Sequence, residues 1–477
     1  MVTAVAAIGA LLLSVAIMVM GNGLQGTLIT VRANIEAFNA AEIGLLVSGY
    51  YAGFIAGCWA APQMVVRVGH IRTFAAMSVI AAATILIYPI IVEPWVWWVM
   101  RAIAGLALAG LYTVIESWLN DRATNENRGA LFSIYRAVDL SAMTAGLMLL
   151  NIASPEGFEL FSLAALLMSL ALVPVAMTRG VAPAPVAAAH LQLRRLYTAS
   201  PLGVVGVFMV AMANAASMGL IPVFVQRSGF GVEAVAFAMA ALVVGGALAQ
   251  YPVGCLSDRF DRRSVVIVFT ILAVLGGGGV AVVSIYGGGF TGIVAATAVF
   301  GAITMPLYSL LIAHVNDHLE PHEFVVASGG LLLIYGLGAV VGPLIASFVM
   351  LERPPWLLFA YTSTVFGVLV AYSLWRVTRR APPLASEQGD FVMPLSPLAT
   401  PQSFELDPRA DADAIAEMDV LEPVEERPPV TEVTEPGGPS GQDTEAEPRA
   451  QPAPEQPAAA PPPPETPSEP KSLPHRD

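Results

Sequence analysis

Residues 112–139 read YTVIESWLNDRATNENRGALFSIYRAVD and combine apolar stretches with charged side chains. Glu116, Arg136 and Asp139 fall in the apolar segments that flank the polar stretch, not within that stretch. Apolar segments of about 20 residues are typical of membrane-spanning helices. A charge inside such a segment costs roughly 2.5–3.5 kcal/mol on insertion scales and marks a functional pathway by default. This stretch therefore predicts a membrane protein with a functional site built around embedded charges.

Composition extends the prediction to most of the chain. Of its 477 residues, 56% are hydrophobic and 12% are charged, and the mean hydropathy is +0.68. Soluble domains contain about 25% charged residues, so an ordinary globular protein is excluded. The net charge of −13 divides into +2 for residues 1–380 and −15 for residues 381–477. The acidity therefore belongs to the tail and does not describe the binding partners of the body.

Twelve apolar segments are long enough to cross a bilayer, and each is predicted to be a helix because lipid offers backbone groups no hydrogen-bond partner. The first six cover residues 5–30, 41–66, 71–92, 95–119, 129–152 and 157–178. The second six cover residues 201–226, 232–256, 263–286, 289–315, 323–350 and 354–378. The predicted fold class is an all-α integral membrane protein with twelve transmembrane helices.

Arginine distribution predicts the orientation of these helices. Thirteen arginines lie in one set of alternating loops and the C-terminal flank, whereas the opposite loops contain only Arg32, Arg227 and Arg353. Cytoplasmic loops are enriched in basic residues. We therefore expect a multi-pass protein of the inner (plasma) membrane with both termini in the cytoplasm.

An internal repeat links the two sets of six segments. Asn22 in the first segment corresponds to Asn214 in the seventh at an offset of 192, and Tyr112 corresponds to Tyr308 at an offset of 196. Two halves in the same orientation predict a substrate site where they meet near the middle of the bilayer. We expect an N-terminal half over residues 1–178, a cytoplasmic loop over 179–200 and a C-terminal half over 201–380. Residues 381–477 are rich in Pro, Ala and Glu and are predicted to be a disordered cytoplasmic tail.

Several motifs resemble those of the major facilitator superfamily. The sequence GCLSDRFDRR at residues 254–263 resembles its cytoplasmic-loop signature, and RAIAG at 101–105 resembles its second motif. The sequence GAVVGP at 338–343 resembles its glycine–proline packing motif, and ESWL at 116–119 followed by Arg128 looks like the YcaD-like branch. The resemblance implies a secondary transporter with two pseudo-symmetric six-helix halves. The first half departs from the loop signature, with Val66 in place of its aspartate.

The embedded charges are candidates for proton coupling. Helical rise places Glu116 about 5 Å, Arg136 about 10 Å and Asp139 about 15 Å from the cytoplasmic ends of the fourth and fifth segments. An apolar surrounding favours the neutral carboxyl and a nearby arginine favours the charged one. Asp139 held between these effects can change protonation as solvent access alternates, with Arg136 as its partner and Glu116 as the competing acid. A permanent ion network between the two helices is the alternative.

Arg101 of the second motif joins these coupling candidates. At the position equivalent to Glu116 the second half has Ile312. We therefore expect any coupling to reside in the N-terminal half.

Polar side chains on other segments are candidates for the substrate cavity. In the superfamily that the motifs resemble, the first, fourth, seventh and tenth helices line the cavity. The candidates on these segments are Asn22, Gln25, Tyr112, Asn214, Ser217 and Tyr308. The alternative is that they form interhelical hydrogen bonds that hold the bundle together.

The loop after the eighth segment is a candidate cytoplasmic gate. The resemblance implies that Asp258 approaches the N-terminus of the fifth helix, near Arg128, where a carboxylate, a helix dipole and an arginine attract one another. Arg259 and Arg263 are assigned to the same gate. The alternative is that these arginines serve only the membrane topology.

No cofactor, metal site, nucleic-acid partner or enzyme activity is expected. His314, His318 and His322 recur every fourth residue, but Pro321 interrupts any single helix through them. The expected partners are the lipid bilayer, a proton and a small organic substrate, with a proton gradient as energy source; the sequence names no partner for the tail. We expect a proton-coupled transporter with export favoured. The alternatives are an uncoupled facilitator, an uptake symporter, or a non-transporting sensor or scaffold that signals through the acidic tail.

Overall fold

The computed structural model describes residues 2–123, 128–177, 193–319 and 324–379. Within them the first half contains helices α1 (Val2–Ile35), α2 (Ala40–Val68), α3 (His70–Ile87), α4 (Pro94–Arg122), α5 (Arg128–Met148), α6 (Glu159–Leu170) and α7 (Leu172–Ala176). A short helix, α8 (Leu193–Ala199), follows. The second half contains α9 (Pro201–Arg227), α10 (Val232–Arg259), α11 (Arg262–Ile285), α12 (Gly289–Asn316), α13 (Phe324–Met350) and α14 (Leu357–Val377). The predicted tail at residues 381–477 lies outside the described part.

The predicted spans are confirmed by the helices. Among the described residues, eleven segments are long and apolar enough to cross a membrane, and α6 with α7 forms one of them (Glu159–Ala176). The twelfth predicted span is α5, whose 21 residues cover about 30 Å. Arg136 and Asp139 make α5 less apolar than the others. It crosses the same bundle, packed against α1 and α10.

Local sequence sets several helix boundaries. Asn39 accepts a hydrogen bond from the backbone of Glu42 while the Glu42 side chain accepts one from the backbone of Asn39, which forms a capping box at the start of α2. Asp261 caps α11 in the same position by accepting from the backbone of Ser264. Both caps fix the residue at which the following helix begins.

The helix packing confirms the internal repeat. In the first half α2 packs on α4, α1 on α5 and α6, and α3 on α4 and α6. In the second half α10 packs on α12, α9 on α13 and α14, and α11 on α12 and α14. The same set of partners therefore recurs in the same chain order. Aromatic contacts fill both cores, with Tyr88 against Trp97 in one and Phe224 against Phe359 in the other.

Glycines at equivalent positions let the helices cross closely. A side chain at Gly53 would overlap the carbonyl oxygen of Ala102, and one at Gly245, 192 residues later, would overlap that of Ala298. Close contact between apolar helices in lipid depends on small residues that let backbones approach. The repeat therefore preserves the crossing of α2 with α4 as that of α10 with α12.

The two halves meet along α2 with α13 and α5 with α10, and α1 also contacts α9. Ser48 Oγ of α2 donates to the carbonyl oxygen of Val340 in α13 at 2.7 Å. Arg227 Nε at the end of α9 donates to Asn34 Oδ1 at the end of α1 at 3.1 Å. Both bonds join the halves toward the face that carries the ends of α1, α9 and α13, which is the face opposite the arginine-rich loops.

Candidate functional site

A cavity lies between the two halves. Its wall contains residues of α1, α2, α4 and α5 from the first half and of α9, α10, α12 and α13 from the second. Six of the predicted site residues contribute to it: Asn22, Tyr112, Arg136, Asp139, Asn214 and Tyr308. Four helices from each half therefore enclose one space, and the sequence identified polar groups on both sides of it.

An ion pair forms part of this wall. Arg136 Nη1 donates to Asp139 Oδ2 at 2.7 Å, three residues apart on α5. Both side chains are about nine-tenths buried. Among the described residues, Nη1 is the one guanidinium nitrogen of Arg136 that donates a hydrogen bond, and Nε is buried without a partner. The geometry thus joins the two predicted partners and leaves donors of Arg136 available.

The repeat-related side chains occupy opposite sides of the cavity. Asn22 and Tyr112 belong to the first half, and Asn214 and Tyr308 to the second. Asn214 is buried, and its amide nitrogen has no hydrogen-bond partner among the described residues. The Tyr308 ring meets that of Tyr335 edge-on at 4.8 Å between centroids. The wall therefore offers amide and aromatic groups as well as the ion pair.

Sequence reasoning missed four polar residues of the wall. They are Tyr51, Gln250, Ser309 and Tyr335. Ser309 Oγ donates to Gln250 Oε1 at 3.3 Å, which links α12 to α10. The repeat contained a signal for one of them, because Tyr335 stands 196 residues after Asp139. The position that carries the acid in the first half thus carries a phenol in the second.

Four of the predicted coupling and cavity residues lie outside the cavity wall: Gln25, Arg101, Glu116 and Ser217. Ser217 Oγ donates to the carbonyl oxygen of Ala213 in its own helix at 2.8 Å. Gln25 is buried, and neither atom of its amide has a partner among the described residues. Arg101 stacks over the Tyr50 ring with its guanidinium carbon 4.7 Å from the ring centroid. Arg101 therefore lies between α4 and α2, separate from the Arg136–Asp139 pair.

Glu116 lies one helical turn beyond Tyr112 on α4 and is fully buried. Glu116 and Asp139 both interact electrostatically with Tyr112 and with Tyr135. Tyr112 on α4 and Tyr135 on α5 therefore each lie near both acids.

The predicted gate residues lie near a network centred on Arg262. This guanidinium is 1% exposed and binds Asp317 Oδ1 at 2.5 Å and Asp258 Oδ1 at 3.2 Å. It also donates to Ser257 Oγ and to the carbonyl oxygen of Ala313. The network ties together the ends of α10, α11 and α12 within the second half. The sequence pointed to this loop through Asp258 but did not single out Arg262, which joins all three helix ends.

The other gate candidates differ in environment. Arg259 is exposed, while Arg263 is buried beside His314, His318 and Arg376 in a small cavity. Arg128 begins α5. The approach of Asp258 to that helix end stays a prediction.

Of the three histidines that recur every fourth residue, two lie in the described part of the chain. His318 Nδ1 lies 2.8 Å from the carbonyl oxygen of His314, and the two rings are 4.8 Å apart. His322 lies outside the described residues. Within the described ranges, no group of three His, Cys, Asp or Glu side chains is placed to hold a metal ion.

Comparison with known proteins shows which family and which relatives this chain is similar to. A family model described as Major Facilitator Superfamily (MFS) matches residues 11–244 and 203–408. The MFS-type transporter YcaD of Salmonella typhi is 28% identical over 383 residues, which cover 79% of this chain and 96% of that protein. YcaD of Salmonella arizonae has the same identity and coverage.

Solved structures share the fold at low sequence identity. The nucleoside transporter NupG superposes with a TM-score of 0.66 at 12% identity, over 78% of this chain and 100% of that one. A bacterial homologue of the human lysosomal transporter Spinster, inward-facing and occupied, gives a TM-score of 0.61 at 16% identity, over 80% and 98%. The helix arrangement described above is therefore that of known transporters.

Proposed function

Because this chain belongs to the major facilitator superfamily, we propose that it is a proton-coupled secondary transporter of a small organic molecule, with export as the favoured direction. Membership makes it a membrane transporter. The observation that carries the finer proposal is the Arg136–Asp139 pair in the wall of the cavity between the halves.

Asp139 has two states that a transport cycle can use. As an anion it is bound to Arg136, and the pair is neutral as a whole. When Asp139 takes up a proton, Arg136 loses its counter-ion and its donors become available to the cavity. Protonation therefore changes both the charge and the hydrogen-bonding capacity of the wall, which is the property that proton coupling requires.

The surroundings of Asp139 favour this role. Its titratable and charged neighbours are Tyr112 on α4 and Tyr135 and Arg136 on α5. The facing helices α1 and α10 contribute the uncharged Asn22 and Gln250 to the wall. Arg136 is thus the one cation in the cavity wall among the described residues. The equivalent positions of the second half hold Leu332 and Tyr335, so the first half alone has the pair.

The contacts between the halves support alternating access. With the arginine-rich loops in the cytoplasm, the Arg227–Asn34 and Ser48–Val340 bonds join the halves toward the outer side of the bundle. These bonds would have to break for the cavity to open outward. We place the protein in the inner membrane with both termini cytoplasmic.

The test is a substrate screen in proteoliposomes that contain a pH-sensitive dye. The full chain and Asp139→Asn are reconstituted in parallel, with Glu233→Gln, an exposed acid at the start of α10, as the matched control. We expect a compound that triggers proton movement through the wild type and the control, while Asp139→Asn retains substrate exchange without proton movement. Exchange without proton movement in the wild type would make the protein a facilitator. A folded, oriented sample that moves no compound would favour the sensor function.

A further inference from the structure

The charges of the cavity wall cancel each other. Among the described wall residues, Arg136 and Asp139 are the charged ones, and they bind each other. A ligand with a net charge would leave one unit of that charge uncompensated in a surrounding of low dielectric, which is strongly unfavourable. An uncharged polar ligand could form hydrogen bonds with Arg136 and Asp139 but would bring no counter-charge to either of them. The wall is therefore complementary to a ligand that carries one positive and one negative charge and has no net charge.

The geometry of the pair leaves both ions able to bind. Arg136 donates to Asp139 through Nη1 and keeps Nη2 as a further donor, whereas its Nε is fully buried. A guanidinium nitrogen can bind a carboxylate through a charge-assisted hydrogen bond. Asp139 uses Oδ2 for the pair, and its Oδ1 makes no hydrogen bond among the described residues. A carboxylate and an ammonium group can therefore bind side by side on α5.

The rest of the wall suits an aromatic or apolar group. Four tyrosine rings and three methionines contribute to it: Tyr51, Tyr112, Tyr308, Tyr335, Met143, Met218 and Met305. Aromatic rings and thioethers make favourable contacts with ring systems. The unpartnered amide nitrogen of Asn214 stands on the second half.

We propose that the substrate is a small zwitterion with an aromatic side chain, of the aromatic amino acid or short peptide class. Its carboxylate binds Nη2 of Arg136, its ammonium group binds Asp139, and its ring lies among the tyrosines. This inference rests on the proposed function, since it names the substrate of the same cavity. It also explains coupling, because an ammonium group and a proton compete for the Asp139 carboxylate and would occupy it in turn.

The test measures equilibrium binding by calorimetry on the full chain in lipid nanodiscs. The zwitterionic probes are L-phenylalanine, L-tyrosine and L-tryptophan. L-phenylalaninamide lacks the carboxylate, and N-acetyl-L-phenylalanine lacks the ammonium group. We expect at least one zwitterion to bind at least tenfold more tightly than either singly charged analogue. Equal or tighter binding of an analogue, or no binding of any of the three zwitterions, would overturn the inference.

Two variants test which charged group of the ligand binds to Arg136 and which binds to Asp139. Arg136→Met should bind the zwitterion only as tightly as the wild type binds L-phenylalaninamide. Asp139→Asn should bind the zwitterion only as tightly as the wild type binds N-acetyl-L-phenylalanine. Glu233→Gln should bind all probes like the wild type. Loss of binding to all probes in both variants, with circular dichroism showing a folded chain, would contradict the assignment. Binding requires no transport, so a chain that binds zwitterions but moves no protons refutes the coupling alone. Proton movement driven by other compounds, without zwitterion binding, refutes this inference alone.

Discussion

Arg136 Nη1 lies 2.7 Å from Asp139 Oδ2 inside a cavity enclosed by eight helices. The two residues are three positions apart, so one helix face presents both charges without help from another element. A pair of this kind is neutral as a whole, yet each member retains hydrogen-bonding capacity toward the cavity. It can therefore be closed on itself in one state and bind a ligand or a proton in another.

Removing one member of the pair should destabilise the protein more than removing both. In Arg136→Met, Asp139 either stays as an uncompensated buried charge or must take up a proton. We expect the free energy of unfolding to fall by about 3–5 kcal/mol. Arg136→Met with Asp139→Leu replaces the pair by apolar side chains and should recover most of that loss. Thermal unfolding in detergent measures both. A single variant as stable as the wild type would show that Arg136 does not compensate Asp139.

The Arg262 network should be a stability element of the second half. Arg262→Ala removes the contacts with Asp258 and with the buried Asp317, and we expect a loss of about 3–5 kcal/mol. Arg259→Ala, three positions earlier and exposed, should change stability by no more than about 0.5 kcal/mol. Comparable melting temperatures for the two variants would refute the central role of Arg262.

Close helix packing predicts opposite effects for two glycines. In Gly53→Ala the new methyl group meets the carbonyl oxygen of Ala102 and forces α2 from α4, at a cost of about 1–3 kcal/mol. In Gly278→Ala nothing lies within 4 Å of the methyl group, and alanine is the better helix former by about 1 kcal/mol. The midpoint temperature of thermal unfolding should therefore fall for Gly53→Ala and should not fall for Gly278→Ala. The same sign for both would contradict the crossing seen here.

Transport should require separation of α1 from α9 at the face opposite the arginine-rich loops. Asn34 and Arg227, whose side chains are 3.1 Å apart, can be replaced by cysteines in a chain with Cys58→Ser and Cys255→Ser. A short cleavable thiol cross-linker should reduce substrate exchange at least tenfold, and cleavage of the linker should restore it. Each single-cysteine variant treated alike is the control. Full exchange by the cross-linked protein would refute movement at this contact.

The sequence by itself determined the helices, the repeat and the embedded charges. Apolar length defines a span because lipid requires internal backbone hydrogen bonds, and all twelve predicted segments correspond to helices. The spacing of Arg136 and Asp139 was sufficient to predict their contact because both belong to one helix. The repeat placed Asn22 opposite Asn214 and Tyr112 opposite Tyr308 because equivalent residues occupy equivalent positions about the axis between the halves.

Only the tertiary structure decided which polar residues share the cavity. Gln25 lies three residues from Asn22 yet is outside the wall, whereas Tyr51 and Gln250 belong to it. In lipid, surfaces that face the bilayer and surfaces that face another helix are both apolar, so hydropathy does not distinguish them. The outcome depends on the contacts of α2 with α13 and α5 with α10, which join residues far apart in the chain. The Arg262 network has the same origin, since three helix ends must meet before one guanidinium can bind them all.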